Sequence, residues 1–235
     1  FKVYDINSSL VKKDKITLEN KLDYIYQNKD LYFGITPSVY EDTAKIGHLR
    51  HEYLLPLSLE KKIMSSQKFG TLDIGSDLRF RNHEINKQIN LFVNNFNWRS
   101  NKWLNSLGME NYFEGLVKTV NYEAKNTDEY KNDDKNTEVN SALGYFAKLR
   151  LYKEDVINKN FYSLTPQFLL RYAPGNMRNI DSGRLSYANL FNLNKINELD
   201  VVEPGLSSSV GFEYKKNKLN KLNVIADEVF SLSVG

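Results

Sequence analysis

Apolar and polar residues alternate with a period of two along most of this chain. Ile16, Leu18, Leu22, Tyr24 and Tyr26 fall on one side of the alternation, and Thr17, Glu19, Lys21, Asp23 and Gln27 on the other. After Asn28-Lys29-Asp30, the residues Leu31, Phe33, Ile35 and Val39 alternate with Tyr32, Gly34, Thr36 and Ser38. Two such runs joined by a short polar turn predict a hairpin. Leu49, Tyr53, Leu55, Leu57 and Leu59 then oppose Arg50, Glu52 and Ser58, and Leu72, Ile74, Leu78 and Phe80 oppose Asp73, Asp77, Arg79 and Arg81. Ile89, Leu91 and Val93 give way to Phe96 and Trp98 with a change of phase, which predicts a bulge or a strand end. The alternation resumes at Val139–Leu151, Leu164–Tyr172, Leu206–Tyr214 and 222–234.

Helical spacing is sustained nowhere. The pattern therefore predicts an all-β chain of roughly eleven or twelve antiparallel strands, many near ten residues, the length a tilted membrane strand needs and longer than ordinary globular strands. The expectation is a segment of a transmembrane β-barrel, with residues 1–235 forming part of one outer-membrane barrel domain. The beginning at Phe1, without Met, and the apolar alternation at Gly235 read as an excerpt that lacks an N-terminal periplasmic domain and the closure of the barrel. Tight connections are expected at Asn28–Asp30 and Lys215–Lys218, and long polar ones at Lys125–Glu138 and Gly175–Pro204, matching short periplasmic turns and longer external loops. Tyr24, Tyr26, Tyr40, Trp98, Tyr152, Tyr172 and Tyr214 stand near strand ends, where they suit interfacial girdles, although tyrosine favours strands in any case. Pro37, Pro56 and Pro166 lie inside strand-like runs and conflict with a regular sheet, marking strand starts, bulges or weakly paired positions.

Charge and composition narrow the function. Net charge is +3, from 32 basic and 29 acidic residues, with no basic face of the kind that binds nucleic acid. Cysteine is absent, which removes disulfides and thiolate metal sites. Mean hydropathy is −0.53, a value a barrel shares with soluble proteins because lumen-facing polar residues offset lipid-facing apolar ones. His48 and His51 would point to opposite faces of a strand and do not form a metal pair. Asp128, Glu129, Asp133 and Asp134 lack calcium-loop spacing and are interleaved with Lys131 and Lys135. No nucleophile elbow or phosphate-cradling loop is present. We expect no catalytic residue, no metal and no cofactor. Asp73, Asp77, Arg79 and Arg81 are candidates for a lumen-facing charge network.

Residues 164–214 carry the specific signal. Leu164-Thr-Pro166-Gln-Phe-Leu-Leu-Arg-Tyr172-Ala-Pro174 leads into a polar loop. Then come Tyr187-Ala-Asn-Leu190-Phe191-Asn-Leu-Asn194-Lys195 and Glu203-Pro-Gly205-Leu-Ser-Ser-Ser-Val-Gly211-Phe-Glu-Tyr214. This resembles the barrel of the LptD family, the organic-solvent-tolerance proteins. There a strand with Pro-x5-Tyr-x-Pro, a Leu-Phe-x-x-Asn-Arg element and a strand opening with Gly-x-Ser follow one another. Lys195 replaces the arginine, and 197–202 departs from the commoner Gly-x-Asp-Arg form. Ile35–Val39, Tyr53–Leu57 and Phe69–Leu72 resemble strand phrases of the same barrel.

The resemblance implies a periplasmic jellyroll followed by a barrel of about twenty-six strands. It implies a plug lipoprotein, LptE, in the lumen and lipopolysaccharide delivered by periplasmic bridge proteins and released sideways into the outer leaflet. The implied activity is translocation within the outer-membrane lipid, not bond chemistry. Two other readings stay open: a porin or receptor barrel that passes solutes, and a soluble all-β binding module. Leu190, Phe191, Leu193 and Ile196 predict that the Gly175–Pro204 loop is ordered and folds back over the barrel mouth, whereas Lys125–Glu138, without apolar anchors, is expected to be external and mobile.

Overall fold

The computed structural model describes residues 17–47, 51–83, 87–127, 130, 135–176, 185–196, 198–220 and 225–235. Their strands form one antiparallel sheet of fourteen strands that does not close on itself. They are β1 (Thr17–Lys21), β2 (Tyr24–Gln27), β3 (Leu31–Ile35), β4 (Ser38–Asp42), β5 (His51–Ser66), β6 (Gly70–His83) and β7 (Lys87–Arg99). There follow β8 (Trp103–Leu104), β9 (Glu110–Lys125), β10 (Lys135–Lys148), β11 (Leu151–Asp155) and β12 (Asn160–Ala173). A short helix, α1 (Tyr187–Leu190), precedes β13 (Gly205–Leu219) and β14 (Ile225–Val234). Among the described residues no helix is long and apolar enough to cross a membrane, which says nothing about strands.

The fourteen strands are fewer in effect than in number. β1 pairs with β4 and β2 with β3, so 17–27 runs beside 31–42 as one interrupted hairpin. β3 and β4 both pair with β5, and β11 and β10 both pair with β12. The sheet order β1-β4-β5-β6-β7-β9-β10-β12-β13-β14 is thus an up-and-down meander of ten traverses, not eleven or twelve. The alternation runs through the interruptions at 22–23, 36–37 and 149–150 without marking them.

Three of the interruptions are written by proline. The carbonyl of Pro56 accepts the N–H of Thr36 at 3.1 Å, and that of Pro37 accepts the N–H of Leu22 at 3.1 Å. The carbonyl of Pro166 accepts the N–H of Leu149 at 3.1 Å. In an antiparallel strand a residue's N–H and C=O point toward the same neighbour. The donor that each proline lacks is therefore missing on the side where its carbonyl bonds. The neighbours break there, at Thr36–Pro37, Leu22–Asp23 and Leu149–Arg150. The other side is untouched: β12 pairs with β13 without a register shift from Asn160↔Lys218 to Ala173↔Gly205, through Pro166↔Phe212. The expectation that Pro166 weakens this wall thus holds on one side only.

Other expectations are corrected. Lys215–Lys218 is not a turn but lies within β13, paired on both sides. β7 runs unbroken past Val93 and Phe96, so the phase change there is an exchange of which face carries apolar residues. The Lys125–Glu138 connection shrinks to 126–134, because Lys125 closes β9 and Lys135–Glu138 open β10. It has an anchor, the Tyr130 ring 4.9 Å from Tyr122, while its acidic residues Asp128, Glu129, Asp133 and Asp134 lie outside the described residues.

The chain divides into two compact units. The first comprises 1–61, 75–94 and 120–138, and the second 62–74, 95–119 and 139–235. The first has a buried stripe of Ile89, Leu91, Val93, Val120, Tyr122 and Ala124. The second has a core of Leu116, Ala142, Phe146, Leu169, Ala173, Leu193 and Val202.

In the second unit the turn before β6 is tied to the end of β7. Trp98 Nε1 donates to the Phe69 carbonyl at 2.8 Å, and the Asn101 amide donates to the carbonyls of Ser66 and Gln67. Gly70 has φ +85°, and a Cβ there would fall onto the Arg99 carbonyl oxygen. Gly108 has φ +76° with open space around it. Gly108→Ala should therefore cost only the left-handed penalty of about 1–2 kcal/mol, and Gly70→Ala clearly more. Equal urea midpoints for the two variants in a refolding titration would contradict the close approach.

Candidate functional site

The 164–214 segment lies in the second unit, where 185–196 and 198–204 lie as a strap on one face of β9, β10, β12 and β13. On β12 the residues Thr165, Leu169, Arg171 and Ala173 are buried, while Leu164, Leu170 and Tyr172 are exposed. Ala142 and Phe146 on β10 and Ser209 on β13 share the covered side, as the pairings Phe146↔Leu169 and Leu169↔Ser209 require.

Leu193 docks the strap. It is 8% exposed and sits against Gly144 of β10, where a Cβ would come within 2.9 Å of Leu193 Cδ1. The missing side chain at 144 is the socket that lets the strap reach the sheet. Phe191 packs at the edge of the same cluster, its ring 5.6 Å from Tyr187 in an edge-on contact. Its Cζ is 3.0 Å from where a Cβ on Gly211 would be, so Gly211 supplies a second gap. Gly205 opens β13 with φ +105°. Leu190 and Ile196 are half-buried, so the expected ordering of the loop is carried mainly by Leu193 and by Val201 and Val202, which lie outside the sequence motif.

Polar atoms of the sheet satisfy the strap's backbone. Arg171, 1% exposed, donates through Nε to the Leu193 carbonyl and through Nη2 to the Glu203 carbonyl. Lys118 Nζ donates to the carbonyls of Leu199 at 2.5 Å and Val201 at 3.3 Å. Asn194 Nδ2 donates to the Val201 carbonyl at 3.0 Å, and Lys195 Nζ reaches Ser207 Oγ at 3.1 Å. Gln167 donates to the Tyr187 hydroxyl at 2.8 Å, and burial pushes the Tyr187 phenol above its ordinary pKa. The motif named Lys195 and Asn194; Arg171 fell at one of its spacer positions, and Lys118 lay outside it. A signal for Arg171 existed, since it shares the alternation phase of Leu169 and Ala173.

Pro166, Tyr172 and Pro174 do not join the strap. Pro166 shapes the β10–β11 break, Tyr172 stands on the open face, and Pro174 is exposed just past β12.

The four expected lumen charges separate. In the first unit, Asp77 accepts from Ser58 Oγ at 2.7 Å, Arg81 pairs with Glu52 at 2.6 Å, and Arg79 and Arg81 line a small cleft with Tyr40 and Leu54. Ser76 donates to Asn94 at 2.8 Å on the opposite side. Val93, Leu91 and Ile89 therefore share the Asp77 side, which is only partly polar. Asp73 belongs to the second unit and lines a cleft of about 270 Å³ with Thr71, the ion pair Arg99–Glu114 and Asn194. His51 stacks on Tyr53, and His48 lies outside the described residues. Among the described residues no group of three His, Asp or Glu is placed to hold a metal.

Replacing Arg171 by Met should leave two buried carbonyls without donors, at about 1–3 kcal/mol each. The expected outcome is a sheet that still forms while the strap is cut within 185–204 by added protease many times faster than in the parent. An unchanged cleavage rate would show that Arg171 does not hold the strap.

No protein-family model matches this chain, and no curated protein matches it in sequence.

Proposed function

We propose that this chain is wall of an outer-membrane β-barrel and that the barrel is of the LptD type, inserting lipopolysaccharide into the outer leaflet. The observation that carries the membrane reading is the open face of the second unit. Leu143 (53% exposed), Leu170, Leu206 (72%), Val210 (68%), Phe230, Leu232 and Val234 stand on neighbouring strands of that face. A contiguous apolar surface of this kind marks a lipid or protein contact. Beside it the rings of Trp103, Phe113, Tyr145 and Phe168 follow one another across β8, β9, β10 and β12, with centroids 5.4–6.4 Å apart. Such a band suits an interfacial girdle.

The connections agree. In the meander, 28–30, 67–69, 105–109, 156–159 and 220–224 fall at one end of the traverses. At the other fall 43–50, 84–86, 126–134 and 174–204, which include the three longest. Short periplasmic turns and longer external loops follow this rule.

The lipopolysaccharide reading is supported by the resemblance over 164–214, and the ordered strap gives that resemblance a structural role. In this reading LptE fills the lumen, the periplasmic bridge delivers lipopolysaccharide, and Asp73, Asp77, Arg79 and Arg81 face the lumen.

Two experiments test the two levels. Val210→Arg should cost about 2–4 kcal/mol if Val210 faces lipid near the midplane. It should cost within about 0.5 kcal/mol if that face meets water, which would defeat the membrane reading. In cells depleted of the native protein, a double variant Leu190→Gln with Phe191→Asn should lower surface lipopolysaccharide and association with the plug. Normal levels of both would remove the LptD-type assignment and leave a barrel that passes solutes.

A further inference from the structure

We infer that the first unit holds a binding cleft for one acyl chain of a membrane lipid, an inference that rests on the membrane reading above. The cleft has a volume of about 600 Å³, within the range of roughly 300–1,000 Å³ typical of small-molecule sites. Its apolar wall is Leu22, Val39, Tyr53, Leu55 and Phe80. It lies at the line of strand breaks, where Leu22 bonds to the Pro37 carbonyl and Thr36 to the Pro56 carbonyl. The breaks take adjacent strands out of regular pairing at one level, which opens the depression. Val39 pairs with both Asn20 and Tyr53, so these side chains share a face. Phe80 lies on the side of β6 opposite Asp77 and Arg81, away from the charge cluster.

The chemistry of the lining selects the occupant. Beside the apolar wall stand the amides Asn20, Asn82, Gln88 and Asn90, and Lys21 and Arg81 also line the cleft. Gln88 Nε2 reaches Asn90 Oδ1 at only 3.3 Å, leaving further donors and acceptors for a ligand. Asn82 and Gln88 each lie one residue inside the ends of β6 and β7. A site with an apolar wall and hydrogen-bonding and cationic groups beside it fits a fatty chain with its ester linkage and phosphate. A polar solute would leave the aliphatic wall unmatched, and a purely apolar one the amides.

The test uses the full chain reconstituted with dioleoylphosphatidylethanolamine, stripped of bulk lipid by detergent exchange and weighed by native mass spectrometry. The parent should retain one lipid. Filling the cleft with Val39→Phe and Leu55→Phe together should abolish retention. Asn90→Ala, which leaves the wall intact, should weaken it about threefold to tenfold, the worth of one hydrogen bond. Leu170→Phe, on the open face of the second unit, should change nothing. Retention equal in parent and filled variant, or absent from the parent, overturns the cleft. In either case a chain that still needs detergent to stay in solution leaves the membrane reading standing, so the two failures are separable.

Discussion

The structure depends on one obligation, that every backbone N–H and C=O in the sheet find a partner. The ten traverses run side by side because only neighbouring strands can supply those partners over such lengths. Prolines would seem to violate the rule, and the way they are placed shows how it is kept. Pro56, Pro37 and Pro166 each present the face without a donor to a neighbour that has already broken, and each retains a satisfied carbonyl. The damage passes to one side only, which is why β12 and β13 remain in register throughout. Two of these breaks fall on adjacent strands at the same level, and that coincidence makes the cleft in the first unit.

The same obligation governs the strap. A loop lying on a sheet buries carbonyls that no strand can pair, so side chains of the sheet must supply the donors. Arg171 and Lys118 do this, donating to the carbonyls of Leu193, Glu203, Leu199 and Val201. Buried cations are costly unless compensated by hydrogen bonds or counter-charge. Here the strap's carbonyls accept from Arg171 Nε and Nη2, and the nearby Glu203 carboxylate offsets part of the burial cost. Apolar docking through Leu193 and the gap at Gly144 then fixes position, while the polar contacts fix which backbone atoms lie against the sheet.

Much of the fold was legible in the alternation of residues, and the departures have physical causes. Period two identifies strands and faces, as the hairpin at Asn28–Asp30 and the phase of Asp77, Arg79 and Arg81 illustrate. It does not reveal a strand interrupted by its neighbour's proline, because the alternation continues across the break, as at 22–23, 36–37 and 149–150. Nor does it separate a lysine-rich strand from a lysine-rich turn: Lys215–Lys218 continue β13 because β12 and β14 pair on both sides. The strap was visible as an apolar loop core, and its motif included Lys195, Asn194 and the glycines that it leans on. Lys118 and Gly144 were not visible as site residues, and Arg171 only through its alternation phase. Their role is set by what lies over them from 22 to 83 residues away in sequence, a relation that local pattern does not contain.

The two faces of β12 and β13 also invert the usual order. A soluble antiparallel sheet turns apolar residues inward and polar ones to water. Here Arg171, Thr165 and Ser209 are among the buried residues, and Leu206, Val210 and Leu170 are among the exposed ones. The cost of burying an arginine and of exposing aliphatic side chains would fall on the same strands if both faces met water. On the membrane reading proposed above, lipid on the open face would remove the second cost, and the strap with its carbonyls reduces the first. Averaged along the chain the two faces cancel, which is why mean hydropathy alone looks like that of a soluble protein. The information lies in which residues alternate, not in how many there are of each kind.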